Sequence, residues 1–378
     1  MKTKASAFNA NDSLVLKGVA IISMIFHHCF CDFSRFSEYS VDFSPLSPEF
    51  AVELSAYFKI CVSIFAFISG YGLWKSYSSG SGADKDMRSW TGARLFKTFS
   101  GYFFIYILVF IITLAYDRYP VKKYGGKGSI MFLVYALLDF LGLSNICSAP
   151  SLCATWWYMG AASFFIISVP IVFHLYKKAG FAPIMLSIII LPRVLKLGYP
   201  GGINLLTFLF VVVIGMVFAE YDIFEAIRAI CFTKNRVISQ IIKITLLVLI
   251  LCLSVKLSFE LNKTKFWILK YNILPIVFIS FVNETLARLP GVNRILAFFG
   301  KHSMNIFLTH TFIRDIYFKD FTYSFRHFIP ICVVLFTISL FLSIIIDFAK
   351  KISGYNKLTD KILKLISSPR KNGLEKSV

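Results

Sequence analysis

Lys17 and His28 are the first residues whose types and spacing could do chemistry. They stand eleven positions apart in the apolar run DSLVLKGVAIISMIFHHCFCD, residues 12–32. At 3.6 residues per turn that is close to three turns, so the two side chains share one helix face, roughly 16 Å apart along the axis. This is about half of a ~30 Å hydrocarbon core. With Lys17 at one membrane surface, His28 sits near the middle, where a titratable side chain is costly and by default marks a functional site. A neutral imidazole in such a cavity is a good general base for a hydroxyl. His27 falls on the other side of Lys17, about 80° around the helix, and reads as a supporting or structural residue. The plainer alternative for either ring is a hydrogen bond to a neighbouring helix. Metal ligation by His27, His28, Cys29 and Cys31 would need all four on one face, which helical spacing does not give, so no metal is expected.

Four further stretches carry candidate chemistry. Arg94 and Lys97, in TGARLFKTF, are three apart at the start of an apolar run and share a face at the cytoplasmic surface. They are either ordinary positive-inside anchors or, with Lys17, a clamp for phosphate groups that holds a phosphorylated donor while its reactive end reaches His28. Trp156, Trp157 and Tyr158 sit at the opposite interface. They form either an aromatic belt or a stacking surface for a sugar acceptor, since their rings offer flat apolar faces with polar handles. His310 lies deep in GKHSMNIFLTHTFIRD and either lines the site or makes a structural bond, whereas His302, near the cytoplasmic end, is expected to be solvated. Between Val62 and Tyr77, Ser69, Gly70 and Gly72 interrupt an aromatic run. That pattern fits close helix packing or the wall of a narrow tunnel beside the first helix.

The elements that must position these residues follow from composition. Of 378 residues, 57% are hydrophobic and 16% charged, against about 25% charged in average soluble domains. Long apolar runs recur along the chain, which points to an all-α polytopic membrane protein. About ten transmembrane helices are expected, over 14–33, 56–77, 95–116, 155–176, 180–196, 203–219, 239–258, 268–288, 300–318 and 328–349. Ser129 to Leu143 is short for a span and carries Asp139, so it reads as an interfacial or re-entrant segment. Asp12 or Ser13 is expected to cap the first helix. No cleavage site follows that run, so it is read as retained. The membrane domain is expected over 1–349, with a basic cytoplasmic tail over 350–378 lying against anionic lipid.

The net charge of +20 would suggest nucleic acid in a soluble chain, but here Lys and Arg fall in loops and tail, so membrane lipids rather than nucleic acid are the expected partners. With the N-terminus in the cytoplasm, basic residues concentrate on the inside, which favours both termini there and a multi-pass placement in the plasma membrane. No internal repeat is evident, which counts against a transporter built on inverted repeats. Cys147 and Cys153 share a loop and could pair only on an oxidising side.

Taken together, these stretches resemble the acyltransferase-3 family of integral membrane acyltransferases, many of which O-acetylate bacterial polysaccharides. In that family the first helix carries a basic residue, ten intervening residues and a histidine, matched by Lys17 and His28. The aromatic run ending in Ser-Gly-aromatic is matched by Phe65 to Tyr71. The R-x-x-R opening of the third helix is matched by Arg94 and, with lysine in the second place, Lys97. A Trp-Tyr pair is matched by Trp157 and Tyr158. The late Gly-Lys-x-Ser to Leu-x-His pattern is matched by Gly300, Lys301, Ser303, Leu308 and His310. The resemblance spans roughly Leu14 to Asp347. It implies acyl-coenzyme A, acetyl-coenzyme A above all, as a co-substrate entering from the cytoplasm. It also implies a hydroxyl of a cell-surface glycan or lipid-linked sugar as acceptor. By the same resemblance His28 is the catalytic residue and Lys17, Arg94 and Lys97 hold the coenzyme's phosphates. Trp156, Trp157, Tyr158 and His310 remain the candidates for holding the acceptor. The rival readings are a proton-coupled transporter or exporter of a small anion, for which a buried histidine also suits, and a membrane scaffold or sensor.

Overall fold

In lipid a backbone must satisfy its own hydrogen bonds, and a helix does so within one segment. The computed structural model describes residues 8–79, 86–125, 128–195, 206–261 and 268–367. Lys2, Lys4 and the far end of the basic tail lie outside the described residues. Among the described residues there are helices and no strand, apart from an isolated bridge between Asp42 and His327.

In chain order the helices are α1 (Ala10–Phe30), α2 (Pro48–Tyr57), α3 (Ile60–Ser78), α4 (Met87–Asp117), α5 (Tyr119–Tyr124) and α6 (Ser129–Phe140). There follow α7 (Trp157–Ala179), α8 (Phe181–Val194), α9 (Leu206–Glu220), α10 (Ile223–Ala229) and α11 (Arg236–Leu261). The last group is α12 (Leu274–Glu284), α13 (Val292–Thr311), α14 (Lys319–Tyr323), α15 (Phe328–Ile352) and α16 (Tyr355–Ser367).

Among the described residues six helical segments are long and apolar enough to cross a membrane: α1, α2 with α3, α4, residues 154–179, α11 and α15. The number is seven if α9 and α10, bent by 65°, count as one span. The expectation of about ten is therefore not met by length and composition. α8 has 14 residues, shorter than the ~20 a span needs. α12 is short and preceded by a π-helical stretch over Leu269–Ile273. α13 carries Arg294, Lys301, His302, Asn305 and His310 along its length. The segment around Asp139 forms the 12-residue α6.

Position in the bundle follows from how much of each apolar stretch is covered. In α1, 61% of it is buried, and in α11 only 17%. α1 is thus a central helix, while α11 turns residues such as Val237, Ile241 and Leu253 outward, as lipid-facing helices do. Two helix pairs are held in backbone contact by glycine. Gly18 of α1 lies on the Leu296 carbonyl of α13, and Gly300 of α13 lies on the Leu14 carbonyl of α1. Gly70 of α3 and Gly215 of α9 meet the carbonyls of Val212 and Phe67 in the same reciprocal way. Small residues let helices approach this closely in a membrane, where apolar side chains gain nothing by leaving lipid.

The cap of α1 differs from expectation. Asn9 is the N-cap and accepts from the amides of Asn11 and Asp12, while Asp12 returns a bond to the Asn9 amide. Asp12 also pairs with Arg288 at 3.0 Å, tying the start of α1 to the turn before α13. The helix therefore begins one turn earlier than the apolar pattern indicates. His302 departs from the solvated reading as well. It is buried, with Nδ1 2.9 Å from Ser343 Oγ and 3.3 Å from Asp347 on α15. Asn305 joins the same cluster through Asp347 and Lys350. At the C-terminal end, α16 packs on α4 through Tyr355 OH to Ser100 O and Ser89 Oγ to Ile366 O, both at 2.7 Å.

Candidate active site

A cavity of about 290 Å³ lies among α1, α3, the start of α7 and α13. Lys17 and His28 both line it, as expected for residues three turns apart on one face. Trp157 and Tyr158 enter from α7, Ser69 and Phe65 from α3, and Ser303 and Phe307 from α13. No Asp or Glu lines it among the described residues, while Lys17 and Lys59 do, so the lining is basic.

The turn of α1 that bears the histidines is fixed from several sides. Ser55 Oγ, on α2, donates to the carbonyls of Phe26 and His27 at 3.0 and 3.2 Å. Arg35 Nη1 donates to the His28 carbonyl at 2.5 Å, and Tyr323 OH to the Cys29 carbonyl at 2.9 Å. These donors satisfy carbonyls at the helix C-terminus, where positive charge is favoured. A side chain held in this way is positioned before any ligand arrives.

Three imidazoles meet here and differ in what remains free. His27 Nδ1 is 2.8 Å from the Ser55 carbonyl. His310 Nδ1 is 2.9 and 3.1 Å from the carbonyls of Phe307 and Ile306, and its Nε2 is 3.2 Å from Thr311 Oγ1. A carbonyl oxygen only accepts, so in both residues Nδ1 carries the proton. The His28 ring lies between them, 5.1 Å from the His27 ring and 5.0 Å from the His310 ring, centroid to centroid. Its ring nitrogens take no hydrogen bond among the described residues, and the ring faces the cavity. His27 and His28 both line the cavity, and of the two only His28 has both ring nitrogens uncommitted to protein among the described residues.

Residues 14–348 match the family model of the acyltransferase-3 family, described as an acyltransferase domain. The chain belongs to this family. It is a multi-pass membrane acyltransferase. No curated protein and no solved structure matches the chain.

The remaining sequence candidates of this acyltransferase fall around the cavity rather than in its lining. Arg94 donates to Ser76 Oγ and stacks over Trp90 at 5.7 Å. Lys97 is exposed, within electrostatic reach of Lys17, and the next residue, Thr98, lines the cavity. Trp156 turns away: its Nε1 donates to the Leu308 carbonyl at 3.0 Å, and it walls a second cavity of about 280 Å³ with Asp139. Trp157 borders both cavities. Asp139 is buried and accepts from Tyr124 OH and, at 2.8 Å, from the Leu152 amide; burial pushes its carboxyl above the usual range. His310 is fully buried behind His28.

Lys59 and Thr155 line the first cavity and were not singled out by sequence. The signal for Lys59 was present, a lone charge between two apolar helices. Among the described residues no group of three His, Cys, Asp or Glu side chains is close enough to hold a metal ion. All eight cysteines are free, Cys147 exposed and Cys153 buried.

Proposed function

We propose that this acyltransferase moves an acyl group, acetyl foremost, from acyl-coenzyme A to a hydroxyl of a cell-surface glycan or lipid-linked sugar. His28 is the general base. The observation that carries the reading is the His28 imidazole, uncommitted to any protein partner, in a basic cavity that Lys17 lines from the same helix face.

A cavity of about 290 Å³ is at the small end of ligand sites. It suits the thioester end of the donor and the acceptor hydroxyl, leaving the nucleotide end outside. Lys17, with Arg94 and Lys97 on the neighbouring surface, then holds the phosphates at the cytoplasmic mouth. Both termini lie on that side, in the plasma membrane.

His28 Nε2 or Nδ1 takes the acceptor's proton as its oxygen attacks the thioester carbonyl. The tetrahedral intermediate collapses, the C–S bond breaks, and the coenzyme thiolate takes the proton back from the imidazolium. His310 holds its proton on Nδ1 toward two carbonyls behind the base, and His27, with its Nδ1 proton held by the Ser55 carbonyl, stands beside it. Charge grows on the carbonyl oxygen during attack and calls for a positioned donor. Tyr158 suits this role. Its hydroxyl is buried beside Ser69, makes no hydrogen bond of normal geometry, and the residue lines the same cavity. Trp157 offers the acceptor sugar an indole face.

Purified protein in proteoliposomes with labelled acetyl-coenzyme A and glycan acceptor tests the reading. His28→Ala is expected to remain folded and to lose transfer. Transfer at the wild-type rate in that variant overturns the assignment.

A further inference from the structure

The reaction cavity contains a second cation that the proposed chemistry leaves unused. Lys59 immediately precedes α3 and lines the same cavity as Lys17. It stands at the opposite end. Lys75, near the far end of α3, pairs with Asp222 at 2.8 Å, and sixteen residues of helix separate the two lysines by roughly 24 Å. Lys59 is within electrostatic reach of His27, whereas Lys17 is within reach of Lys97. The histidines thus lie between one lysine on the donor's side and another on the far side.

No ion pair or hydrogen bond to the Lys59 ammonium occurs among the described residues; its neighbours are the thiols of Cys31 and Cys61 and an aromatic ring. Its Nζ is 5.0 Å from the centroid of the Tyr271 ring, and Lys270 Nζ is 5.0 Å from the same centroid. A cation–π contact is a weaker partner for an ammonium than a carboxylate is. Lys59 is half-buried in the cavity wall, and the ring offsets only part of the hydration that its ammonium gives up there. A second ammonium on the same ring adds repulsion. A cation such as Lys59, placed in a cavity wall, is offset when an anion enters with the ligand.

We infer that Lys59 binds an anionic group of the acceptor, so that the acceptor carries a carboxylate or phosphate near the hydroxyl that is acylated. This rests on the proposed reaction in one respect, that the acceptor occupies the end of the cavity away from Lys17. Two sources share the chemistry: the carboxylate of a uronic acid residue within a glycan, and the pyrophosphate of a lipid-linked sugar.

The test is binding to the full-length protein in nanodiscs, read by quenching of tryptophan fluorescence. Each anionic probe is paired with its neutral counterpart: methyl glucuronide with methyl glucoside, and a polyprenyl pyrophosphate with the polyprenol. One anionic probe is expected to bind about tenfold more tightly than its counterpart. Lys59→Gln should remove that preference and Lys59→Arg should keep it, which guards against a folding defect. Preference for the glucuronide identifies a carboxylated glycan, and preference for the pyrophosphate identifies a lipid carrier. Equal binding within both pairs overturns the inference. So does a preference that survives Lys59→Gln, or one that Lys17→Gln removes instead. Because binding is read without turnover, a protein that passes this test and transfers no acyl group refutes the proposed reaction alone.

Discussion

Replacing Gly18 by alanine adds one carbon where α1 and α13 touch. That carbon would overlap the Leu296 carbonyl oxygen and lie 3.1 Å from Leu296 Cα. Backbone on both sides leaves no flexible side chain to yield, so α1 must retreat by more than about 1 Å to recover ordinary van der Waals contact. Overpacking of this kind costs about 1–3 kcal/mol of stability. The consequence for the reaction is larger, because the two helices form facing walls of the cavity. α1 bears Lys17 and His28; α13 bears Ser303 and Phe307, with His310 behind His28. A displacement of about 1 Å in a reacting group costs on the order of 10²-fold in rate. Gly18→Ala is therefore expected to lower acetyl transfer about hundredfold at a temperature where the variant is still folded, together with a lower melting temperature in detergent. Gly72→Ala is the control, since a Cβ there meets nothing within 4 Å; it should keep the wild-type rate and gain up to about 1 kcal/mol in helix propensity. A Gly18→Ala protein with wild-type rate and melting would show that the α1–α13 approach does not set the site's geometry.

Two further substitutions separate donor binding from chemistry. Lys17→Gln should raise the KM for acetyl-coenzyme A about tenfold or more, the worth of one charge-assisted bond to phosphate; an unchanged KM would place the phosphates elsewhere. Tyr158→Phe should lower kcat by about 10²–10³, as loss of an oxyanion donor does, and leave the KM for the donor largely as it was. An unaltered kcat would remove Tyr158 from the transition state.

What the sequence made legible followed helical period within one segment. Lys17 and His28 reach one cavity because eleven residues close three turns, and Trp157 and Tyr158 reach it from the start of α7. What it concealed depended on partners far along the chain. His302 looked solvated because Ser343 and Asp347, which bury it, lie about forty residues later on α15. Trp156 looked equivalent to Trp157, but it belongs to a 3-10 turn over Ala154–Trp156 and bonds to α13. Arg94 and Lys97 share a face, yet Ser76 and Trp90 engage the former and the latter is exposed. Asn9 was passed over as the cap because the apolar pattern begins only after Asp12. The expected span count exceeds what length and composition support among the described residues where an apolar helix is short, as in α8, or where polar side chains break an apolar run, as in α13.

The central claim is the proposal that acyl transfer to a surface sugar's hydroxyl requires the His28 imidazole as its base, in a protein otherwise intact. The direct test is mass spectrometry of surface glycans from cells that make the wild-type protein, the His28→Ala variant at equal abundance in the membrane, or neither. Glycans from wild-type cells should carry the mass of added acetyl groups, and those from the other two should lack it. The same acetyl mass in glycans from the His28→Ala cells, absent from cells making neither, would contradict the account.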